Sequence, residues 1–278
     1  MDLDLTNPDI IRNTLKSIKT YPNKRLGQHF LIHKPTFKII LDAGTLNIND
    51  AILEIGPGLG SLTAILASET AKVVAVERDI ILAKALDERK LAKVEVIMGD
   101  ILNFDLSQLP KNYKVVANIP YNLTSRLLKK LITSLNPPRL MVLLIQKEVA
   151  ERICERPGNM SVLAFSVQYF ADPKIIEVVE RSKFWPMPKV DSAIIQIIRK
   201  PKPVFVADEK KLFRLIKAGF SAKRKKMKNS LAGGLNTSVT VAQSLLKIAQ
   251  IDLNARAQEL TMAQWHQLYL QADKQRLI

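Results

Sequence analysis

The sequence predicts a doubly wound α/β fold: a mostly parallel sheet with helices on both faces, followed by a small all-helical domain. Two observations carry this prediction. From Ala51 onward, short β-rich runs alternate with segments of helical spacing, and the strand-like runs are apolar at nearly every position, as in sheets buried on both faces. Beyond Phe205, helical spacing continues while strand signals almost vanish.

Two helices and a basic loop precede the alternating region. A helix is predicted from about Pro8 to Lys19, because Asn7 is a suitable cap and proline is favoured in a first helical turn. The basic loop KRLGQHFL follows. The segment KPTFKIILDAGTL is predicted to be a second helix, with Pro35 at its start and Gly44 near its end.

The alternating region defines the first domain, predicted over residues 1–200. Its strand-like runs are AILEI, KVVAVE, VEVIMG, YKVVAN and LMVLLIQ, and its helical segments are SLTAILASE, DIILAKALDERK and TSRLLKKLITSL. The runs KIIEVVER and DSAIIQIIRK flank the proline-rich FWPMPKV and predict an antiparallel hairpin at the sheet edge. A linker, KPKPVF, separates this domain from a helical domain over 206–278.

Composition restricts the partners and the compartment. Lysine and arginine total 42 against 26 acidic residues, and the formal charge of +16 favours a polyanionic partner such as nucleic acid. A single cysteine, Cys154, excludes an intrachain disulfide and suits a reducing compartment. Three dispersed histidines predict no metal site. No apolar run approaches the roughly 20 residues that span a bilayer, and the first 20 residues resemble no export signal, so a cytoplasmic location is expected.

Ligands of open α/β sheets bind beyond the carboxyl ends of the strands, and informative residues follow four predicted strands. Gly56, Gly58 and Gly60 form a tight turn after the first strand, although a purely structural turn needs the same residues. Glu77 ends the next strand about 20 residues later, where a carboxylate accepts hydrogen bonds from ribose hydroxyls. Turn and carboxylate together predict a nucleoside-containing cofactor and leave NAD open.

Two further strand ends carry polar residues. Asp100 can accept a hydrogen bond from an adenine amine, or can cap a helix instead. In VVANIPYN, Asn118 and the Ile119 carbonyl offer acceptors that could pull an exocyclic adenine amine toward tetrahedral geometry and free its lone pair. Pro120 fixes the backbone, and Tyr121 offers a ring on which a base can stack. An ordinary β-turn with a packed tyrosine is the alternative.

Six motifs occur in order along the chain: LGQHFL, LEIGPGLG, VVAVERD, GDIL, NIPYN and FWPMPKVDS. As a set they resemble the ribosomal RNA adenine dimethyltransferases, most closely the small-subunit type, and the resemblance continues at FSAKRKKMKNSL. The resemblance implies a Rossmann-like methyltransferase that uses S-adenosylmethionine. Its implied products are two adjacent N6,N6-dimethyladenosines in the 3′-terminal hairpin loop of small-subunit rRNA, formed during ribosome biogenesis.

The resemblance also implies roles for individual residues. Those that bind the cofactor would be Gln28, His29, Leu31, Gly56, Gly58, Glu77, Asp100, Ile101 and Asn118. The catalytic residues would be Asn118, which contacts the target amine, and Tyr121 and Phe184, which stack on opposite faces of the target base. His29 and Arg126 depart from the usual asparagine and proline of the family.

The sharpest basic run, KRKKMK, predicts an RNA-binding site made of Lys223, Arg224, Lys225, Lys226 and Lys228. Lys24 and Arg25 add charge near the expected mouth of the active site. The expected partner is rRNA within a pre-ribosomal small subunit, bound by a monomer without membrane contact. Three other functions remain open at this point: a large-subunit rRNA adenine methylase, a catalytically silent assembly factor on the same fold, and an NAD dehydrogenase.

Overall fold

A computed structural model describes residues 4–120, 123–222 and 224–278 of the chain. The chain divides into two compact units, one comprising Met1–Ala150 and Asp172–Arg199 and the other Glu151–Ala171 and Lys200–Ile278. The sequence predicts a continuous first domain over 1–200, whereas in the structure the segment Glu151–Ala171 groups with the C-terminal helices. No helix among the described residues is long and apolar enough to cross a membrane.

The first unit is built on a mostly parallel sheet. Its strands are β2 (Ala51–Ile55), β3 (Lys72–Glu77), β4 (Val94–Met98), β5 (Lys114–Asn118), β6 (Leu140–Gln146), β7 (Ala171–Val179) and β9 (Ser192–Arg199), and a separate short pair is β1 (Phe30–Leu31) and β8 (Phe184–Trp185). Among the described residues the sheet has seven strands in the order β4-β3-β2-β5-β6-β9-β7. Strands β2 to β6 pair in parallel, and β9 is antiparallel to β6. The predicted fold class is confirmed.

Sequence and burial explain why the strands form where they do. In β6, which reads LMVLLIQ, every residue except the last is buried, as expected for a central strand covered on both faces. Strand β2 neighbours both β3 and β5, so the connections run in opposite directions on its two sides. The carboxyl ends of β2 and β5 therefore border the crevice in which ligands of such folds bind.

Helices cover the sheet as predicted, with boundaries set by local capping. They are α1 (Pro8–Ser17), α2 (Lys34–Gly44), α3 (Ser61–Glu69), α4 (Ile80–Glu88), α5 (Thr124–Ile132) and α6 (Lys147–Cys154). The Asn7 side chain accepts the Asp9 N–H at the start of α1, which confirms the predicted cap. Asp79 caps α4 by accepting the Ile81 and Leu82 N–H groups. The apolar runs alone do not predict α6.

The second unit is helical. Its helices are α7 (Val162–Phe170), α8 (Glu209–Gly219), α9 (Met227–Leu235), α10 (Val239–Ile248) and α11 (Met262–Lys274). An aromatic cluster holds them together: the Phe165 ring contacts Phe213 and Trp265 edge-on, with centroids 6.2 and 6.0 Å away. Phe165 lies in α7, which explains why this segment groups with the C-terminal helices.

Candidate active site

One cleft of the first unit opens at the carboxyl ends of β2, β3, β4 and β5. Its lining includes every residue that the family resemblance assigns to the cofactor: Gln28, His29, Leu31, Gly56, Gly58, Glu77, Asp100, Ile101 and Asn118. These residues come from five separate chain segments. The fold therefore brings together at one site what the sequence shows as scattered motifs.

The glycine turn after β2 forms the floor of the cleft. Gly58 has a φ of +61°, and a Cβ at this position would lie 3.2 Å from the Phe30 ring. Gly60, with a φ of +85°, starts α3, and a Cβ there would meet the Leu86 side chain. Both positions thus need glycine for backbone conformation and for space, and the turn stays open to a ligand lying above it.

Glu77, the last residue of β3, is almost fully buried. One of its carboxylate oxygens accepts the Gly58 N–H at 3.0 Å and the other accepts the Asp79 N–H at 2.8 Å. Burial raises the pKa of the Glu77 carboxyl, and these N–H groups oppose that rise. Each oxygen has a second lone pair, so the fixed carboxylate can still accept hydrogen bonds from a ligand.

Asp100 lies just past β4 and performs part of the capping role considered for it. Its Oδ1 accepts the Leu102 N–H at 2.9 Å, while Oδ2 lies 3.8 Å from the Arg78 guanidinium. About a quarter of the Asp100 side chain is exposed, and the neighbouring Ile101 is buried. The carboxylate is therefore held in place by the backbone and retains acceptor capacity toward the cleft.

Asn118 ends β5 with its side-chain amide fixed by a hydrogen bond. Its Nδ2 donates to the His29 carbonyl at 3.1 Å, and this bond defines which way the amide points. The Oδ1 atom is left to accept from a ligand in the cleft. Ile119 and Pro120 also line the cleft, whereas Tyr121 lies outside the described residues.

His29 connects two distant parts of the cleft wall. Its Nδ1 lies 2.6 Å from the Pro186 carbonyl, which can only accept, so Nδ1 carries the proton of this bond. The backbone of His29 holds Asn118, and its ring holds the segment after β8. The histidine at this position thus connects the β1 segment with the segment after β8.

Phe184 does not line the cleft. It pairs with Leu31 in the β1–β8 ladder and belongs to the buried core with Phe37 and Ile40. Its ring is 3% exposed. The next residue, Trp185, stacks on Phe30 with ring centroids 6.4 Å apart. The stacking role of Phe184 on a target base stays a prediction, and in this conformation its ring supports the wall of the cleft.

Glu54, in the middle of β2, is a cleft residue that motif inspection missed. It is 2% exposed, and its Oε2 has no hydrogen-bond partner among the described residues. Burial raises the pKa of the Glu54 carboxyl to about 8. One signal was present in the sequence: a carboxylate inside an otherwise apolar strand needs hydrogen-bond partners, and one oxygen of this carboxylate has none among the described residues.

The predicted RNA-binding run lies in the second unit, between α8 and α9. Arg224, Lys225 and Lys226 are exposed there, and Lys228 is partly exposed in the first turn of α9. Lys226 donates to the Asn254 side chain at 2.6 Å. Lys223 lies outside the described residues. The exposed cations form a compact surface with the chemistry of a phosphate contact.

The strand order, the glycine turn and the three polar strand ends, at Glu77, Asp100 and Asn118, are those of a Rossmann-like methyltransferase. Residues 20–274 match the family described as ribosomal RNA adenine dimethylase. The chain belongs to that family and is an rRNA adenine dimethyltransferase. The resemblance stated from the motifs is confirmed, and the NAD dehydrogenase alternative is excluded.

Similar proteins agree with this assignment. The ribosomal RNA small subunit methyltransferase A of Dehalococcoides mccartyi strain CBDB1 is 39% identical over 254 residues, covering 89% of this chain and 87% of the relative. The Pelotomaculum thermopropionicum protein of the same name is 37% identical and covers 94% and 95% of the two chains. A dimethyladenosine transferase from Plasmodium falciparum superposes with a TM-score of 0.77 at 27% identity, covering 88% and 97%. The 23S rRNA methyltransferase ErmE superposes with a TM-score of 0.69 at 26% identity, covering 88% of this chain and 99% of that chain.

Proposed function

We propose that this protein transfers methyl groups from S-adenosylmethionine to the N6 amines of two adjacent adenosines in the 3′-terminal hairpin loop of small-subunit rRNA. The observation that carries the proposal is the orientation of Asn118. Its amide nitrogen is bonded to the His29 carbonyl, so its oxygen is available to an amine that enters the cleft. Relatives named for the small subunit, at up to 39% identity, support this choice of rRNA.

The polar groups that line the cleft suit the functional groups of S-adenosylmethionine. The turn at Gly58 leaves no room for a side chain and thus keeps backbone close to the ligand. The unpartnered Glu54 oxygen matches the ammonium of the methionine portion, which would favour the ionised carboxylate. Glu77 would accept from the ribose hydroxyls, and Asp100 with the Ile101 backbone would read the adenine. When bound, S-adenosylmethionine supplies an electrophilic sulfonium methyl group.

The chain's contribution to methyl transfer is alignment and hydrogen-bond acceptance. The Asn118 oxygen and the Ile119 carbonyl would accept the two N–H groups of the target amine and release its lone pair from conjugation with the ring. The methylated nitrogen releases its proton to water, so no general base is demanded of the protein. Gln28, His29 and Leu31 line the cleft and would close its cofactor side.

The target base has to leave its stack to reach Asn118. Tyr121, one residue after the cleft-lining Pro120, is proposed to stack on one face of the base, a contact of roughly 1–3 kcal/mol. Phe184, proposed for the opposite face, would first have to leave the core in which its ring is packed. A Tyr121→Ala variant should therefore lose more activity through base binding than a Phe184→Leu variant does.

The proposed substrate is a pre-ribosomal small subunit in the cytoplasm, bound by a monomer that needs no metal. Phosphate contacts by Arg224, Lys225 and Lys226 are supported by their exposure. Replacing all three with glutamine should weaken binding of small subunits. The plot of log affinity against log salt should become shallower by about 0.7–0.9 per lost contact. An unchanged slope would remove this surface from the RNA interface.

The deciding experiment is radiolabelled methyl transfer from S-adenosylmethionine to unmethylated small ribosomal subunits, followed by nuclease digestion and mass analysis of the nucleosides. The expected product is N6,N6-dimethyladenosine at paired positions near the 3′ end, with activity unaffected by EDTA. Large subunits and the Asn118→Ala variant are the controls. Incorporation into large subunits alone would favour the large-subunit alternative. Tight subunit binding without any incorporation would favour the silent assembly factor.

A further inference from the structure

The loop that leads from α1 into the cleft displays an aromatic ring to solvent. Tyr21 is 79% exposed, and it has no hydrogen-bond or ring partner among the described residues. Exposed single tyrosines are ordinary, but this one lies five residues before the first cleft-lining residue of the same segment, Leu26. The same loop continues into Leu26 and Gly27, both of which line the cleft.

Charge distinguishes this loop from a neutral surface. Between Ile10 and Phe30 the chain carries five cations and no carboxylate: Arg12, Lys16, Lys19, Lys24 and Arg25. Lys24 and Arg25 are exposed three and four residues after Tyr21. An exposed ring next to exposed cations is the combination that binds single-stranded nucleic acid, because bases stack on the ring while phosphates meet the cations.

The loop is also held rigidly. The Asn23 side chain accepts the Arg25 N–H at 2.9 Å and forms the cap of a short 3₁₀ turn over Lys24–Leu26. The Gln28 Oε1 atom accepts the Asn23 N–H at 2.8 Å. Tyr21 and the cations are therefore attached to an ordered frame, which reduces the entropy lost when a partner binds.

The frame extends to the cofactor end of the cleft. The other end of the Gln28 amide, Nε2, donates to Asp79 Oδ2 at 2.8 Å. The Asp79 N–H in turn donates to Glu77 Oε1 at 2.8 Å. A chain of hydrogen bonds thus connects Asn23 with the carboxylate proposed to hold the ribose, and the loop keeps a fixed position relative to the cleft.

We propose that Tyr21, Lys24 and Arg25 form a second RNA contact, in which the Tyr21 ring stacks on an unpaired base of the substrate loop close to the reacting adenosine. Lys24 and Arg25 contact the adjoining phosphates. This inference rests on the proposed function, since it takes single-stranded loop RNA as the substrate. Recognition of such RNA proceeds through stacked, splayed-out bases.

The test compares Tyr21→Ala and Tyr21→Phe with the control Ile48→Ala, which truncates a 61% exposed side chain of the same unit outside the cleft lining. Tyr21→Ala should weaken binding of unmethylated small subunits by roughly 5- to 150-fold, the range of a lost stacking contact. Tyr21→Phe, which keeps the ring, should bind within about twofold of wild type. Affinity for S-adenosylmethionine and the melting temperature should be unchanged in all three variants.

Binding is measured twice: in the otherwise wild-type protein, and with each substitution placed in an Asn118→Ala background where no methyl transfer is expected. This design separates the two hypotheses. If the wild type binds subunits but methylates nothing, the proposed function fails while the loop contact can still be scored. If Tyr21→Ala binds as Ile48→Ala does, or if Tyr21→Phe loses as much as Tyr21→Ala, the stacking contact is overturned.

Lys24 provides an independent check on the phosphate half of the inference. A Lys24→Gln variant should lower the salt slope of subunit binding by about 0.7, the value for one phosphate contact on a single strand. A salt slope equal to that of the wild type would show that Lys24 does not contact a phosphate and would overturn the phosphate part of the inference.

Discussion

The two halves of the cleft differ in how far the protein satisfies its own polar groups. At the ends of β3 and β4, Glu77 accepts two backbone N–H groups and Asp100 accepts one. At β2 and β5, Glu54 has an oxygen without a partner among the described residues, and Asn118 uses its nitrogen but leaves its oxygen for a ligand. At β3 and β4 the backbone already holds the carboxylates in place, whereas at β2 and β5 a ligand has to supply the missing hydrogen-bond partners.

This difference separates the residues that we expect to act in binding from those that we expect to act in methyl transfer. Carboxylates that the backbone already holds in place lose little conformational entropy when a nucleoside binds, which favours affinity. Groups with unused hydrogen-bonding capacity respond to charge and to developing bonds, which favours catalysis. We therefore expect substitutions at Asn118 to affect turnover, those at Glu77 and Asp100 to affect affinity, and those at Glu54 to affect the dependence on pH.

The largest effect is expected at Asn118. Asn118→Ala should reduce methyl transfer by about 10²–10³-fold or more, as for other lost acceptors or donors aimed at a transition state. Binding of small subunits should remain close to that of the wild type, measured by filter retention at fixed salt. Equal losses in turnover and in subunit binding would contradict the division between the two halves.

Glu77 should show the next largest effect, on affinity. Glu77→Ala leaves the Gly58 and Asp79 N–H groups without their charged acceptor and also removes the proposed ribose contact. Hydrogen bonds to charged groups contribute about 1.5–3 kcal/mol each, so affinity for S-adenosylmethionine should fall at least tenfold. Calorimetric titration measures this loss, with Glu77→Gln as the control that retains an acceptor oxygen. If turnover at saturating cofactor fell while the affinity for S-adenosylmethionine stayed intact, Glu77 would act in methyl transfer rather than in binding.

The role of Glu54 should be visible in how cofactor affinity depends on pH. Its pKa of about 8 keeps the carboxyl neutral at lower pH, so binding a cationic amine requires ionisation. Cofactor affinity should therefore rise between pH 6 and 7.5, by up to about tenfold per unit. In Glu54→Gln this dependence should disappear. A variant with the same pH profile as the wild type would show that Glu54 does not meet the amine.

The same group predicts a change in stability. Because the pKa of Glu54 in the folded protein lies above its ordinary value of 4.5, the folded protein retains a proton that the unfolded chain releases between about pH 4.5 and 8. Stability should therefore fall as pH rises through this window, by up to about 1.4 kcal/mol per unit. Glu54→Gln should flatten the profile, as followed by thermal unfolding without cofactor.

The smallest effect is expected at Asp100. Asp100→Asn keeps an oxygen to accept the Leu102 N–H but loses the charge and replaces the second acceptor oxygen with an amide donor, so affinity for S-adenosylmethionine should fall by a few-fold, about 1 kcal/mol. Asp100→Ala also loses the backbone contact and should cost more. If Asn and Ala variants bind the cofactor equally well, the backbone contact does not matter for binding.

Local sequence patterns predict the site residues whose position depends on a single strand. Gly58, Glu77, Asp100 and Asn118 follow apolar runs, and parallel strands bring their carboxyl ends to one edge. The partnerless oxygen of Glu54 was not evident, because its significance depends on what surrounds β2 in three dimensions. The hydrogen bond between His29 and Pro186 was not evident from the sequence either, because it joins residues far apart in the chain. The burial of Phe184 likewise follows from the two-residue pairing of β1 with β8, too short to leave a pattern.

The hydrogen bond between His29 and Pro186 spans 157 residues of sequence. Contacts of such long range form late, after the intervening chain has become available for folding. During synthesis the N-terminal wall of the cleft emerges long before the segment that braces it, and Asn118 meets its His29 partner in between. A nascent chain shorter than 186 residues therefore lacks a complete site. We therefore expect the His29 ring to stay without this partner until the segment after β8 has left the ribosome that makes the protein.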